Sequence, residues 1–323
     1  MTEPRNVLIT SAGRRTFLVH AFREALGNAG KVITADLDPL APALQVADEV
    51  ARLPRVDDPG YAGNLVELVS RYQVQAVIPT IDTELLALVQ LSNALRSCGA
   101  VVVVSAEPFI AATTDKWLTS QTFSSKGIAC PQTWLPEDIR SASLPSRVVV
   151  KPRFGSASQG ILRVAKDQVA HAIALTDESI VQEELTGREV TVDALFDMGG
   201  RLIHYVPRLR LKAIGGESVE GITIDRSELG PWIDSALLVC GRLGARGPIT
   251  LQCFIEPDGP KLTELNARFS GGFPLTYRAG GRYPQWLLGE LRGSAVEPRV
   301  GQYEVGLRMT RHYVEIFPSE LPW

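Results

Sequence analysis

From Asn6 to Val104, short apolar runs alternate with stretches in which apolar residues recur every three to four positions. Asn6–Thr10 (NVLIT), Val32–Ala35 (VITA, ending at Asp36), Gln75–Pro79 and Ala100–Val104 read as buried strands. A helical pattern running to about Leu26 and the stretches Tyr61–Tyr72 and Asp82–Arg96 read as helices. Strand, glycine turn, helix, then a strand ending in an acid is how a doubly wound sheet begins. The pattern predicts an open parallel sheet of about four strands. Only Gly13 stands where a GxGxxG fingerprint would need three glycines, which argues against a tight nicotinamide site. Ligands of such sheets sit beyond the carboxyl ends of the strands. The candidates there are Arg14, Arg15, Asp36, Asp38, Thr80, Asp82 and Glu84. For any single one of them a cap or loop role is the favoured reading, and Asp82 could simply cap the helix that follows it.

The period then changes. Thr114-Asp115-Lys116 opens a helix, with Thr114 or Asp115 as its cap. A strand at Ser146–Val150 runs into Lys151-Pro152 and a loop of small residues, 153–160, before a returning strand at Ile161–Val164. Such a loop can fold over a polyphosphate, with backbone N–H groups facing the anion and glycine allowing close approach. A ligand-free hairpin loop is the plainer reading, and GxxxxGK[ST] is absent. After a helix near Lys166–Leu175, the strand at Ile180 leads into the acidic turn Glu183-Glu184-Leu185-Thr186-Gly187-Arg188-Glu189 and out through Glu189–Leu195. That turn could offer backbone groups to a purine and a carboxylate to ribose hydroxyls, or could be an acidic surface turn. Leu202–Leu211 is a further strand, followed by a glycine turn beside Lys212 (Gly215-Gly216-Glu217). Helices are expected over Glu228–Leu243 and near Pro284–Leu291.

The most informative pattern lies at 249–266. Two alternating runs, 249–256 and 261–266, flank Pro257-Asp258-Gly259-Pro260, which predicts a β-hairpin. Centring the turn near Asp258 sets Gln252 roughly opposite Glu264. Glu264 and Asn266, two apart, then share a face. One carboxylate and two amide oxygens suit Mg²⁺ completed by waters and substrate phosphates, and an ordinary half-exposed hairpin with a polar face reads equally well.

Composition narrows the classes. A chain of 323 residues can bury a large core in two or three domains, and 45% apolar with 21% charged residues is ordinary for a globular protein. A net charge of −3 gives no general attraction to nucleic acid or anionic membrane. Of 33 basic residues only 7 are Lys, so a lysine inside a motif is less readily surface filler. Cys98, Cys130, Cys240 and Cys253 form no CxxC pair and read as reduced thiols. The four histidines, His20, His171, His204 and His312, do not cluster. No signal-peptide build opens the chain and no apolar run approaches the ~20 residues a bilayer span requires. The expected compartment is the cytoplasm.

In order, the chain carries a lysine at a helix start, strand-Lys-Pro with a small-residue loop, an acidic hinge with Gly-x-Glu, and Gln…Glu-x-Asn-x-Arg. This series resembles the ATP-grasp superfamily of carboxylate–amine ligases, in particular the ATP-binding module of the carbamoyl-phosphate synthetase large subunit and its small single-module relatives. The resemblance implies a mixed α/β and α+β fold: a Rossmann-like pre-ATP-grasp sheet over 1–112, a small central lobe or lid over 113–184, and a C-terminal lobe over 185–323 carrying the metal and catalytic residues. By the same resemblance Lys116 and Lys151 would reach the nucleotide phosphates, and the loop with Gly155, Ser156, Ser158 and Gly160 would close over them. Glu183, Glu184 and Leu185 would meet adenine, and Glu189 would hold the ribose. Gln252, Glu264 and Asn266 would carry Mg²⁺, with Mn²⁺ as an alternative ion. Arg268 would stabilise the acyl phosphate, with Lys212 beside the phosphates or acceptor. Arg14, Arg15, Asp82, Glu84, Gly216, Glu217 and Arg278 are the expected substrate wall. After Asn-x-Arg this chain continues Ser270-Gly271-Gly272-Phe273-Pro274 rather than with further basic and serine residues. It also has one module instead of two, which weighs against carbamoyl phosphate synthesis. The expected activity is ATP-dependent joining of a small carboxylate, such as an amino acid, to an amine. The rivals are an ATP-binding sensor or subunit, or a carboxylate kinase. The expected partners are small molecules, with no nucleic acid or membrane and with a homodimer allowed.

Overall fold

The computed structural model describes residues 6–140, 142–155 and 160–323, with the side chains of Glu217 and Glu228 left aside. The first ninety-odd described residues run β1 (Asn6–Thr10), α1 (Thr16–Leu26), β2 (Val32–Asp36), β3 (Glu49–Arg52), α2 (Tyr61–Arg71), β4 (Val74–Pro79), α3 (Leu85–Ser97) and β5 (Val101–Val102). Their strands form one parallel sheet in the order β3-β2-β1-β4-β5. The expected four strands are therefore five. Edge strand β3 has the sequence EVAR and buries only Ala51, which leaves too little apolar signal to read. β1 and β4 are almost wholly buried, as expected of central parallel strands covered on both faces.

Two helices follow, α4 (Glu107–Thr114) and α5 (Lys116–Ser124), joined at Asp115. The Asp115 carboxylate caps α5 by accepting from the backbone N–H of Trp117 (2.9 Å) and Leu118 (3.2 Å). α4 was not expected: EPFIAATT is only eight residues with a weak apolar pattern, although Phe109, Ile110 and Ala112 are all buried.

A small antiparallel sheet comes next, built from β6 (Thr133–Trp134), β7 (Arg147–Pro152), β8 (Leu162–Ala165) and β9 (Ser179–Glu183) in the order β6-β9-β7-β8, with α6 (Val169–Ala174) packed on it. The remaining chain is β10 (Arg188–Phe196), β11 (Leu202–Ile214), β12 (Glu217–Thr223), α7 (Gly230–Leu243), β13 (Gly247–Glu256), β14 (Gly259–Asn266), α8 (Phe273–Arg278), α9 (Tyr283–Leu291) and β15 (Arg308–Thr310). Its six strands order as β14-β13-β10-β11-β12-β15, all antiparallel.

The register of this large sheet explains the site. Val190, Val192, Ala194, Tyr205, Ile249, Leu251, Cys253 and Leu265 are buried in one core with Ile233 and Leu237 of α7. The alternate residues, Glu189, Thr191, Asp193, Arg208, Arg210, Thr250, Gln252, Glu264 and Asn266, therefore share the opposite, polar face.

Candidate active site

Gln252 pairs with Glu264 and Thr250 with Asn266, the pairing expected, but it is reached through a bulge. Glu256–Gly259 to Cys253–Leu262 pair around a turn at 257–258, and the register slips by one residue between Cys253 and Gln252. Asn266 Nδ2 donates to Glu264 Oε1 (3.1 Å), and Arg268 donates from Nη2 to Asn266 Oδ1 (3.1 Å). These three oxygen-bearing side chains thus sit side by side. Among the described residues no cluster of three His, Cys, Asp or Glu could hold a metal on its own. A set with one carboxylate and two amides suits an oxygen-seeking divalent ion that brings phosphate oxygens with it.

Two lysines lie within electrostatic reach of this surface, Lys116 at the start of α5 and Lys151 on β7. Lys151, on β7, is 8% exposed. Burial pushes its ammonium down to about 8, while the Glu264 carboxylate acts in the opposite direction and Lys116 adds to the depression. Lys116 is also lowered, by burial first, against the raising influence of Glu264, Asp82 and Asp115. Glu264 is therefore electrostatically coupled to both lysines, although β7, α5 and β14 lie far apart in sequence. Lys116 Nζ donates to the carbonyls of Pro152 (3.2 Å) and Gly155 (2.7 Å), which ties the helix start to the first part of the small-residue loop. Arg153 clamps Asp115 through two hydrogen bonds (2.8 and 2.6 Å). Burial raises the Asp115 carboxyl, but the Arg153 bonds and the helix N–H groups outweigh it and hold the group below its ordinary range. Ser156 and Ser158 lie outside the described residues; Gly160 closes the loop at φ +69°, which favours glycine.

The hinge is held from the opposite lobe. Glu183 accepts from Lys261 Nζ (2.8 Å), while Glu184 points to Arg147 (2.6 Å) and Arg163. Leu185 is half-buried. Glu256 Oε1 accepts from the backbone N–H of Thr186 (2.9 Å) and Gly187 (2.7 Å). An ideal Cβ on Gly187 would fall 2.0 Å from the Ile255 carbonyl oxygen, so only glycine allows this approach. Glu189 is paired with Arg210.

Arg268 is the link to the first domain. Its Nε and Nη2 both donate to Asp82 Oδ2 (3.0 and 2.7 Å). Glu84 is buried beside it in sequence but faces inward, accepting from Thr10 Oγ1 (2.7 Å) and Ser11 Oγ (2.6 Å). Burial raises the Glu84 carboxyl, against the lowering hydrogen bonds of Ser11, Thr10 and Tyr61. Its contacts make it a latch on the β1 turn, where Ser11 holds φ +46°. Arg14 is exposed, Arg15 precedes α1, and Arg278 is exposed at the end of α8 with no ion pair among the described residues. Lys212 is also outlying. β11 runs to Ile214 rather than ending at Leu211, and Lys212 is 58% exposed on that projecting end, 3.7 Å from Glu220. Gly216, at the hairpin tip, turns back to accept from Arg210 Nη2 (2.9 Å).

Asp115 was expected only as a helix cap and Arg153 only as a loop residue, while Glu256, Lys261, Arg208 and Arg210 had no expected role. Arg208 and Arg210 had a readable signal: two same-face arginines in an otherwise apolar strand. Arg208 is 2% exposed and pairs with Asp193 (3.3 Å), beneath the Ser270–Gly272 turn. A hollow of ≈ 560 Å³ lined by Phe196, Leu202, Leu237 and Leu238 contains none of the site residues.

A parallel open sheet followed by a small and a large antiparallel sheet, with Lys151 of the small sheet and Lys116 of α5 near a Gln-Glu-Asn surface of the large one, is the ATP-grasp arrangement, and the chain has the ATP-grasp fold. Residues 176–313 match the family model described as ATP-grasp in the biosynthetic pathway with Ter operon, and residues 7–104 match PylC-like, N-terminal domain. No curated protein sequence matches the chain. Among solved structures it is similar to the biotin carboxylase domain of 2-oxoglutarate carboxylase from Hydrogenobacter thermophilus, a dimer in complex with MgADP, ADP and bicarbonate. That likeness has a TM-score of 0.74 at 15% identity, over 94% of this chain and 73% of that one. It is similar also to L-amino acid ligase from Bacillus licheniformis (TM-score 0.70, 17% identity, 90% and 75% covered). A third is N5-carboxyaminoimidazole synthetase from Staphylococcus aureus with ADP (TM-score 0.74, 15% identity, 93% and 80% covered). No helix among the described residues is long and apolar enough to cross a membrane.

Proposed function

We propose that the chain is an ATP-dependent carboxylate–amine ligase. It phosphorylates a small carboxylate and passes the acyl group to an amine, releasing ADP and phosphate. What supports this reading is Glu264, with Gln252 and Asn266 beside it, within electrostatic reach of Lys116 on α5 and Lys151 on β7. A carboxylate is a poor acyl donor, and making it an anhydride brings negative charge together, so cations and fixed donors are what the reaction needs.

Lys116 and Lys151 hold the phosphates, and the loop after Arg153 covers them. Glu183 and the backbone at Leu185 meet adenine, and Glu189 the ribose. Gln252, Glu264 and Asn266 hold Mg²⁺, which when bound supplies charge neutralisation and a template for the phosphates. Arg268, fixed by Asp82, is aimed at the acyl phosphate and joins the nucleotide face to the end of the first sheet, where the substrate lies. Lys212, exposed on the projecting end of β11, would face the phosphates or the acceptor. The working divisions are 1–112, 113–184 and 185–323, the compartment is the cytoplasm and the assembly a homodimer.

The test is ADP release across paired carboxylates and amines. Release that requires both partners supports ligation. A hydroxamate formed in hydroxylamine without the amine identifies the acyl phosphate. Absence of ADP across a broad amino-acid panel refutes the ligase reading.

A further inference from the structure

Arg210 stands at the last regular position of β11. The pairing with β12 runs through Arg210–Gly221 and slips before Lys212–Glu220, so the strand bulges at Leu211 and its outer reach continues paired with β12 beyond its last pairing with β10. On the other side Leu209 pairs with Val190, which brings Arg210 opposite Glu189 on the polar face. The Arg210 side chain is 9% exposed and its fork is divided. Nη1 donates to Glu189 Oε1 and lies 3.5 Å from Gln252 Oε1, while Nη2 donates to the Gly216 carbonyl (2.9 Å). One guanidinium thus joins three pieces of the cleft: the acidic exit of the hinge, the metal-facing strand and the hairpin tip.

The carboxylate it holds is only half used. Glu189 Oε1 is occupied by Arg210, whereas Oε2 accepts no hydrogen bond among the described residues, and the side chain is 25% exposed. A carboxylate pinned through one oxygen and open at the other is prepared to accept from a hydroxyl arriving from the cleft. A lysine could not do the same, because a single ammonium cannot span the Glu189 oxygen and the Gly216 carbonyl in a fixed plane.

We propose that Arg210 is the positioning residue that orients Glu189 towards the ribose hydroxyls, and that this pair sets the preference of the chain for a ribonucleotide over a deoxyribonucleotide. The inference rests on the reading of Glu189 as the ribose contact. A hydrogen bond to a charged acceptor is worth about tenfold or more in affinity, so loss of one hydroxyl is felt at that scale.

The experiment measures dissociation constants of the full chain for ATP and 2′-deoxy-ATP with Mg²⁺, in the native protein and in Arg210→Met, Arg210→Lys and Glu189→Gln, each checked for native unfolding behaviour. The native chain is expected to favour ATP by about tenfold or more. Arg210→Met should bring ATP affinity down to that for 2′-deoxy-ATP, with the latter changed less than about threefold, and Arg210→Lys should restore part of the ratio. Glu189→Gln should collapse the ratio too, and adding Arg210→Met to it should have little further effect on it. If Arg210→Met weakens both nucleotides by the same factor, or leaves the ratio intact, Arg210 is a scaffold or phosphate contact and the proposal is overturned. If the native chain binds both nucleotides equally, Glu189 is not the ribose contact and the proposal falls with it; carboxylate- and amine-dependent ADP release would still stand.

Discussion

Lys151 is held at a cost that can be measured. Burial lowers its ammonium to about 8, against 10.5 for a free lysine, with Glu264 opposing the shift and Lys116 adding to it. The difference, 10.5 − 8, corresponds to about 3 kcal/mol of free energy favouring the neutral side chain in the folded protein. Lys151→Met keeps the length of the side chain and removes the charge. Below pH 8 both the folded and the unfolded native chain carry the proton, so the folded state bears the whole cost. Between about pH 8 and 10.5 the unfolded chain binds a proton that the folded chain lacks, so native stability rises with pH. Lys151→Met should therefore be more stable than the native protein by about 1–3 kcal/mol at pH 7, a gap that closes as pH approaches 10. Urea unfolding at pH 7 and pH 9.5, without nucleotide, reads the difference, and other groups cancel in the comparison. MgATP should stabilise the native chain by mass action and leave Lys151→Met almost unmoved. A variant less stable than native at pH 7, or a gap that does not change with pH, refutes the reasoning.

Four further outcomes follow from the same geometry. Nucleotide affinity should fall as pH rises above about 8, because phosphate binding must then return a proton to Lys151; calorimetry in two buffers of different ionisation enthalpy would detect that proton. Glu264→Gln should remove divalent-dependent ADP release without unfolding the chain, and retention of most turnover would take the metal face away from β14. Arg268→Ala should lower kcat by about 100-fold with little change in KM for ATP, the pattern of a group acting on the developing charge; a rise in KM alone would make it a binding residue. Gly272→Ala should destabilise by about 2–4 kcal/mol, since an ideal Cβ there falls 2.3 Å from Cζ of the buried Arg208. A change in melting temperature within error would show that Arg208 can move.

What could be read in the sequence, and what could not, divides along the distance over which each choice is made. The β13–β14 hairpin was legible because its turn residues and flanking alternation are local signals, but its register was not. The pairing next to the turn would set Gln252 opposite Thr263, and a one-residue slip after Cys253–Leu262 brings Glu264 across instead. The parallel sheet was legible for the same local reason, except at β3, whose four residues bury too little to leave a pattern. Ion-pair partners were not legible. Arg268 meets Asp82 across 186 positions and Lys261 meets Glu183 across 78, and neither choice leaves a trace in spacing. The tertiary pairing does account for the scarcity of lysine. On the polar face and its rim the arginines are committed to carboxylates: Arg268 to Asp82, Arg210 to Glu189, Arg208 to Asp193 and Arg153 to Asp115. Their planar forks fix geometry and keep their charge at any physiological pH. The two cleft lysines differ. Lys116 is bonded to carbonyls, Lys151 has no ion pair among the described residues, and both are lowered by burial. In the proposed nucleotide cleft, a cation buried without a committed partner gains most from an arriving phosphate, which favours lysine there and arginine for the frame.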